Sequence, residues 1–388
     1  MFPDLVEQLH AREQQGLWRV RQIVGSPQAT YIAIDGRDYL AFSSNDYLGL
    51  ANHPELVQAA CEGAQLYGVG AGASHLIHGH SAAHHAVEEA VAAFTGFPRA
   101  LLFSTGYMAN IGIVTALTGR EDAIFADKLN HASLNDAALL SRARFIRYPH
   151  LDLIALERRL VETPARRKLV ISDAVFSMEG DVAPIDELIA LCERHQAWLL
   201  LDDAHGFGVL GQQGRGSLNA AQHDPARSPH VIYMATLGKA AGVFGAFVAA
   251  QPEIIETLIQ SARSYIYTTA TPSLLSHALL TSLRLIEQDQ WRRDALTQNI
   301  TWLQQATHTL PWKLLPSTTP IQPLLIGDST EAVRISLALR ECGILVPAIR
   351  PPTVPQGTAR LRISLSATHQ QQDMARLAEA LNELTQHI

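Results

Sequence analysis

Apolar and polar positions along this chain switch between two periods, and the switching lays out most of its elements. Residues 1–15 mix apolar and charged side chains at helical spacing, which predicts an amphipathic helix. Residues 30–42 hold two short β-rich runs about Asp35-Gly36, a dipeptide suited to a two-residue hairpin turn. From about residue 53 to 250, helical periodicity covers 54–66, 81–94, 107–117, 131–140, 151–161 and 184–195. Between these helices lie short apolar runs at 100–103, 123–126, 144–148, 168–172, 197–201, 231–235 and 245–250. Strands of that length with little polar alternation belong to a sheet covered on both faces. Strand–helix–strand order implies mainly parallel pairing with right-handed crossovers. Residues 252–310 read as helical. They lead to a strand (320–325), a helix (330–342), two strands (344–349 and 359–365) and a final helix (369–386).

The expected fold class is therefore α/β: a three-layer domain on a mainly parallel sheet, with a smaller C-terminal α/β domain. The expected division is an N-terminal helix and hairpin at 1–45, a large domain at 46–285 and a small domain at 286–388. A cleft between two such domains is a common ligand site. The layout gives an enzyme-like architecture and no chemistry.

Composition narrows the function. With 30 basic and 37 acidic side chains the net charge is −7, which does not suit a chain built to neutralise nucleic-acid phosphates. The chain is 47% hydrophobic, yet no apolar run approaches the ~18–20 residues that span a bilayer, and no signal peptide is expected. Cys61, Cys192 and Cys342 are far apart and form no Cys-x-x-Cys pair; they read as free thiols of a cytoplasmic protein.

Three segments carry candidate chemistry. Leu199-Leu200-Leu201-Asp202-Asp203-Ala204-His205-Gly206 runs an apolar strand into two carboxylates and a histidine. Ligand crevices of open α/β sheets lie beyond the carboxyl ends of the strands, and a carboxylate buried there needs a cation. Alone, the segment reads equally as a helix cap followed by a glycine turn. Met234-Ala235-Thr236-Leu237-Gly238-Lys239-Ala240-Ala241-Gly242 ends a strand in a small-residue loop with one lysine. Small neighbours admit a planar group, and burial near cations favours the neutral amine that condenses with an aldehyde. Thr236 is placed to hydrogen-bond a phosphate, although alone the motif also reads as a surface lysine. It is not a Walker-type loop, because the glycine spacing differs and no Ser or Thr follows the lysine. Finally, Phe103-Ser104-Thr105-Gly106-Tyr107 passes from strand to helix through a glycine, giving free backbone N–H groups for a phosphate and a ring at Tyr107.

Asp202-x-x-His205 and Thr236-x-x-Lys239, preceded by Ser104-Thr105-Gly106-Tyr107 and Asn130-His131-Ala132-Ser133, resemble the α-oxoamine synthase family. The likeness runs from Ser43-Ser44-Asn45-Asp46-Tyr47-Leu48-Gly49-Leu50 to Arg360-Leu361-Arg362. It implies a fold-type I transferase carrying pyridoxal 5'-phosphate covalently on Lys239, which then moves the substrate Cα proton. It implies further that Asp202 faces the pyridine nitrogen, His205 the phenolic oxygen and His131 a ring face, with Gly106, Tyr107, Ser177 and Thr236 around ring and phosphate. Arg19, Asn45, His131, Thr353 and Arg360 are implied substrate contacts, Arg360 being the candidate for an amino-acid carboxylate. Thr268 and Thr269 are expected to reach the cofactor phosphate of a partner subunit in a homodimer with shared sites.

The segment Ile349-Arg350-Pro351-Pro352-Thr353-Val354-Pro355 is closest to the biotin-pathway branch. That branch condenses L-alanine with pimeloyl-CoA or pimeloyl-ACP and releases carbon dioxide. The alternatives are a relative using glycine or serine with another acyl thioester, and a non-catalytic subunit of the same fold. The sequence departs from the usual family pattern in Gly70-Ala71-Gly72-Ala73-Ser74-His75 and in the histidines that follow, His78, His80, His84 and His85. His80 and His84 have the i, i+4 spacing of zinc ligands, but with no carboxylate or cysteine beside them no metal is expected.

Overall fold

A computed structural model describes residues 2–14, 17–221 and 228–385. The first helix spans Pro3–Gln14. The expected hairpin follows as β1 (Tyr31–Ile34) and β2 (Arg37–Ala41), antiparallel about a two-residue turn. Asp35 and Gly36 have φ of 52° and 76°, the positive values such a turn requires.

Seven strands build the main sheet: β3 (Arg99–Phe103), β4 (Ala123–Asp127), β5 (Arg144–Tyr148), β6 (Lys168–Asp173), β7 (Trp198–Asp202), β8 (Val231–Thr236) and β9 (Ala246–Ala250). Their order is β3-β9-β8-β7-β6-β4-β5. The pairs from β8 through β5 are parallel, as expected, and β9 alone runs against both its neighbours. Successive residues of one strand feed two cores. Leu199 and Leu201 enter one cluster while Leu200 enters the other, and Tyr233 and Met234 divide the same way. That division is the physical reason the strands lack polar alternation: both faces are dry.

The C-terminal strands are β10 (Lys313–Leu314), β11 (Ile321–Gly327), β12 (Ile344–Leu345), β13 (Ala348–Ile349) and β14 (Ala359–Ser364). Four form an antiparallel sheet in the order β10-β11-β14-β13, while β12 pairs parallel to β2. The single strand expected at 344–349 is thus two strands in two sheets. Pro347 stands between them and has no N–H for a ladder; its carbonyl accepts from the Arg362 N–H at 3.0 Å. Ser364 N donates to Phe42 O at 2.9 Å and Ala367 N to Tyr47 O at 2.7 Å, which ties the end of β14 to the segment after the hairpin. Among the described residues no helix is long and apolar enough to cross a membrane.

Candidate active site

Parallel register brings the acidic strand ends together. Asp173 at the end of β6 lies opposite Asp202 at the end of β7, and Asp202 lies opposite Met234 of β8. Two residues beyond Met234, at Thr236, β8 ends, and Lys239 follows in the next loop. The expected convergence of Asp202, His205 and Lys239 at the carboxyl ends of the strands is present in the folded chain.

Lys239 Nζ lies 2.8 Å from His205 Nε2, and Tyr47 Oη lies 2.6 Å from His205 Nδ1. Burial pulls the lysine pKa down to about 8, opposed by Asp202 and Asp173. Burial and the adjacent Lys239 hold His205 well below the usual imidazole range, so the ring is neutral. Tyr47 Oη also donates to Asn45 Oδ1 at 3.1 Å, which fixes the hydroxyl between that amide and the imidazole. Asp202 accepts from Asn110 Nδ2 at 2.8 Å and from the Ala204 N–H at 3.0 Å. Asp173 accepts from the His131 N–H at 2.6 Å; burial and then the Asp202 charge push its pKa well above the carboxylate range. His131 caps the helix Ala132–Ser141, and its Nδ1 lies 2.7 Å from Ser133 Oγ.

Beside this cluster the helix Gly106–Leu117 begins. Thr105 caps it by accepting from Met108 N, which leaves the Gly106 and Tyr107 N–H groups without helical partners. A Cβ at Gly106 would stand 2.6 Å from Thr236 Cγ2, so helix and β8 end are packed as closely as glycine permits. Tyr107 is exposed and its hydroxyl donates to Asp136.

The implied substrate residues divide. Arg360 is buried, but its Nη1 donates to Glu179 Oε1 and to Met178 O, both at 3.1 Å. It is therefore committed to a buried ion pair and is no free carboxylate fork. Arg362, two residues along the same face of β14, reaches the cluster instead. Its Nε donates to Ser177 O at 2.6 Å, Nη1 and Nη2 both donate to Asn45 Oδ1 at 3.2 Å, and Nη2 lies 3.4 Å from the Tyr47 hydroxyl. Asn45 and Ser177 are thus joined to Lys239 through Arg362, Tyr47 and His205. Arg19 and Thr353 meet elsewhere, on a groove of about 600 Å³ beside β13 that also includes Arg12 and Arg350. Thr268 and Thr269 follow the helix Arg263–Ile266, and Thr269 bridges Ser74.

Four residues of the site went unassigned from sequence: Tyr47, Asn110, Asp173 and Arg362. Asp173 carried the same signal as Asp202, an apolar strand ending in an acid. Asn110 has no such signal, since only the packing of its helix over β8 and β9 brings its amide against Asp202. It is fully buried, and its Oδ1 has no partner.

Comparison with known proteins agrees with this geometry. The aminotransferase class I and II family model matches residues 37–381. An 8-amino-7-oxononanoate synthase of Nitrosomonas europaea is 67% identical over 386 residues, covering 100% of both chains. The solved 8-amino-7-oxononanoate synthase of Francisella tularensis is 32% identical with a TM-score of 0.78, covering 90% of this chain and 98% of its own. A solved structure described as SPT with PLP internal aldimine is 28% identical with a TM-score of 0.92, covering 100% of this chain and 98% of its own. The chain belongs to the class I and II aminotransferase family, in the branch of the 8-amino-7-oxononanoate synthases.

Proposed function

We propose that the protein condenses L-alanine with a pimeloyl thioester, giving 8-amino-7-oxononanoate, carbon dioxide and the free thiol carrier in biotin synthesis, with pyridoxal 5'-phosphate bound at Lys239. The observation that carries this reading is a buried amine of depressed pKa held against a neutral histidine and two strand-end carboxylates, in a chain 67% identical to an 8-amino-7-oxononanoate synthase along its whole length.

The residues fit that cofactor chemically. The buried Asp202 calls for a cation, the free N–H groups at Gly106 and Tyr107 suit a phosphate, and the tight approach of Gly106 to Thr236 leaves a floor of small groups. When bound, pyridoxal phosphate supplies an aldehyde for an amine and a ring that accepts the electron pair left at Cα. The protein's share is binding, orientation and proton control. Asp202, fixed by Asn110, holds the proton on the pyridine nitrogen. His205 is buttressed by Tyr47 and holds the phenolic oxygen. Thr236 and the start of the Gly106 helix take the phosphate, and Ser177 and His131 bound the ring. The Lys239 amine, pulled down by burial to a pKa of about 8, has its neutral form within reach near neutral pH. It therefore works as the base that removes the alanine Cα proton and returns it.

Arg362, in place of Arg360, takes the alanine carboxylate, with Asn45 beside it. The groove of Arg19 and Thr353, next to β13, receives the acyl chain. Its cations Arg12, Arg19 and Arg350 suit the free carboxylate of a pimeloyl group. The active assembly is a homodimer with shared sites, in which Thr268 and Thr269 approach the partner's phosphate. In support, Val69, Ile77 and Tyr267 near the Ser74–Thr269 bridge are 77%, 74% and 72% exposed in the single chain.

The test is to supply alanine, glycine and serine separately, each with pimeloyl, acetyl and palmitoyl thioesters, and to follow free thiol and carbon dioxide. Alanine with the pimeloyl thioester is expected to give the fastest turnover. Turnover of serine or glycine with another acyl group, and none with alanine and pimeloyl, overturns the substrate assignment.

A further inference from the structure

A second cluster of ligand-type side chains lies outside the lysine site, where the sequence is densest in histidine. The expectation of no metal there rested on the absence of a carboxylate beside His80 and His84. In the folded chain a carboxylate is present. The donor atoms of His80, His85 and Glu88 all lie within 4.8 Å of one another. Glu88 follows His85 by three residues on the helix Ala82–Thr95, so the two share a face. His80 enters from the turn that precedes the helix.

His84, the residue chosen by spacing, is excluded by its hydrogen bonds. Its Nδ1 accepts from the Ser81 N–H at 3.1 Å, closing the helix cap, and its Nε2 donates to Thr271 O at 2.8 Å. Both ring nitrogens are used. His80 and Glu88 each keep a donor atom free and have partners that aim it, while His85 Nε2 lies 3.4 Å from the exposed Glu89 Oε1. Glu88 Oε1 accepts from the Leu102 N–H at 2.9 Å, leaving Oε2 toward His80. His80 Nδ1 is 3.2 Å from His75 Nδ1, whose ring stacks on Tyr265 at 4.9 Å, so His80 Nε2 is the nitrogen that faces Glu88. Metal-binding histidines are held in this way, one nitrogen on the ion and the other on a fixed neighbour. His80 Nε2 and Glu88 Oε2 stand 3.8 Å apart, too far for a hydrogen bond. Two ligands of one tetrahedral zinc, each bonded at 2.0–2.1 Å, stand about 3.3 Å apart. A small side-chain rotation closes the difference, and His85, 65% exposed, gives up only a solvent-screened contact with Glu89 when it turns.

We propose that His80, His85 and Glu88 form a binding site for a zinc-class divalent ion, with two imidazole nitrogens, one carboxylate oxygen and water in the remaining position. The site opens on a cavity of about 550 Å³ bounded by His75, Arg99 and Tyr265, which admits the ion from solvent. Nickel and cupric ions suit the same donors, whereas magnesium and calcium, which prefer all-oxygen shells, do not.

The test uses the full-length holoenzyme, stripped with chelator and titrated with zinc chloride, alongside His85→Ala and His84→Ala. His85 is a surface residue whose replacement leaves the helix intact, and it takes no part in the lysine site. One zinc per chain is expected at the cluster, located by anomalous diffraction, with affinity falling at least about tenfold in His85→Ala and no comparable binding when magnesium chloride replaces zinc. The His84→Ala chain, where it folds, is expected to retain zinc. Absence of zinc density at the cluster, or undiminished binding in His85→Ala, overturns the proposal.

Discussion

Two arginines on one strand face make the sharpest single-residue contrast. Arg360 and Arg362 are both buried on β14, yet one is spent on Glu179 and the other touches Asn45, Tyr47 and the Ser177 carbonyl. Arg362→Gln is expected to raise the KM for alanine roughly 10- to 100-fold, the range for losing charge-assisted hydrogen bonds to a carboxylate. Arg360→Gln leaves Glu179 buried without its cation. It is expected to lower stability by about 3–5 kcal/mol while moving the alanine KM only a few-fold. Steady-state kinetics and urea unfolding of both variants check the pair; the reverse pattern would return the carboxylate to Arg360. Sequence could not separate them, because strand alternation places both on the same face and only the tertiary partner differs. Lys239 gives a pH prediction. Its folded pKa is depressed to about 8, so the neutral amine accumulates as pH rises through that value. The rate at which cofactor-free protein takes up pyridoxal phosphate should climb between pH 7 and 9, and stopped-flow absorbance measures it. A rate flat across that range contradicts a buried, depressed amine.

Among the elements, the loop between β6 and the helix Ile185–Arg194 matters most, because it meets both arginines. It is pinned at its far end by His150, which lies 3.0 Å from Asp127 Oδ1 and 2.9 Å from Asp181 Oδ2. Burial alone would lower the histidine pKa, but the two carboxylates outweigh it and push it up to about 10. The raised folded value means that this ion pair's stabilisation is complete below the unfolded pKa near 6.5 and is lost as pH rises through about 10. His150→Gln is therefore expected to cost about 1–2 kcal/mol at pH 6, discounted for partial exposure, and less at pH 10.5. Urea unfolding at the two pH values decides, and a penalty independent of pH would contradict a charged clamp. The main-sheet strands are held differently, by apolar burial on both faces. Leu200→Ala, at a fully buried position, should cost about 2–5 kcal/mol, and equilibrium unfolding measures it. These strands were legible in the sequence because double burial erases polar alternation. The split at Pro347 was not, since both halves are apolar and only the pairing partners distinguish them.

For the whole molecule, the order of elements was readable because helical and extended periods alternate cleanly between residues 53 and 250. The reversed direction of β9 was not, because a loop of nine residues, 237–245, gives no periodicity to show which way the chain returns. In the site, the strand-end acids and the lysine loop announced themselves locally. Tyr47 and Arg362 belong to segments more than 300 residues apart and meet only through the fold. The exposed apolar side chains about the Ser74–Thr269 bridge belong to the same scale. Sedimentation is expected to give a dimer, and a charged replacement at Ile77 to shift it toward monomer; a monomeric, fully active wild type contradicts shared sites.

Every role assigned at the site depends on Lys239 being the residue that holds the cofactor. The most direct measurement is borohydride reduction of the protein after incubation with pyridoxal phosphate, followed by digestion and mass mapping. A phosphopyridoxyl group on Lys239, absent from Lys239→Ala, is the expected result. Labelling of a different lysine as the principal site, or none in the wild-type chain, would contradict it.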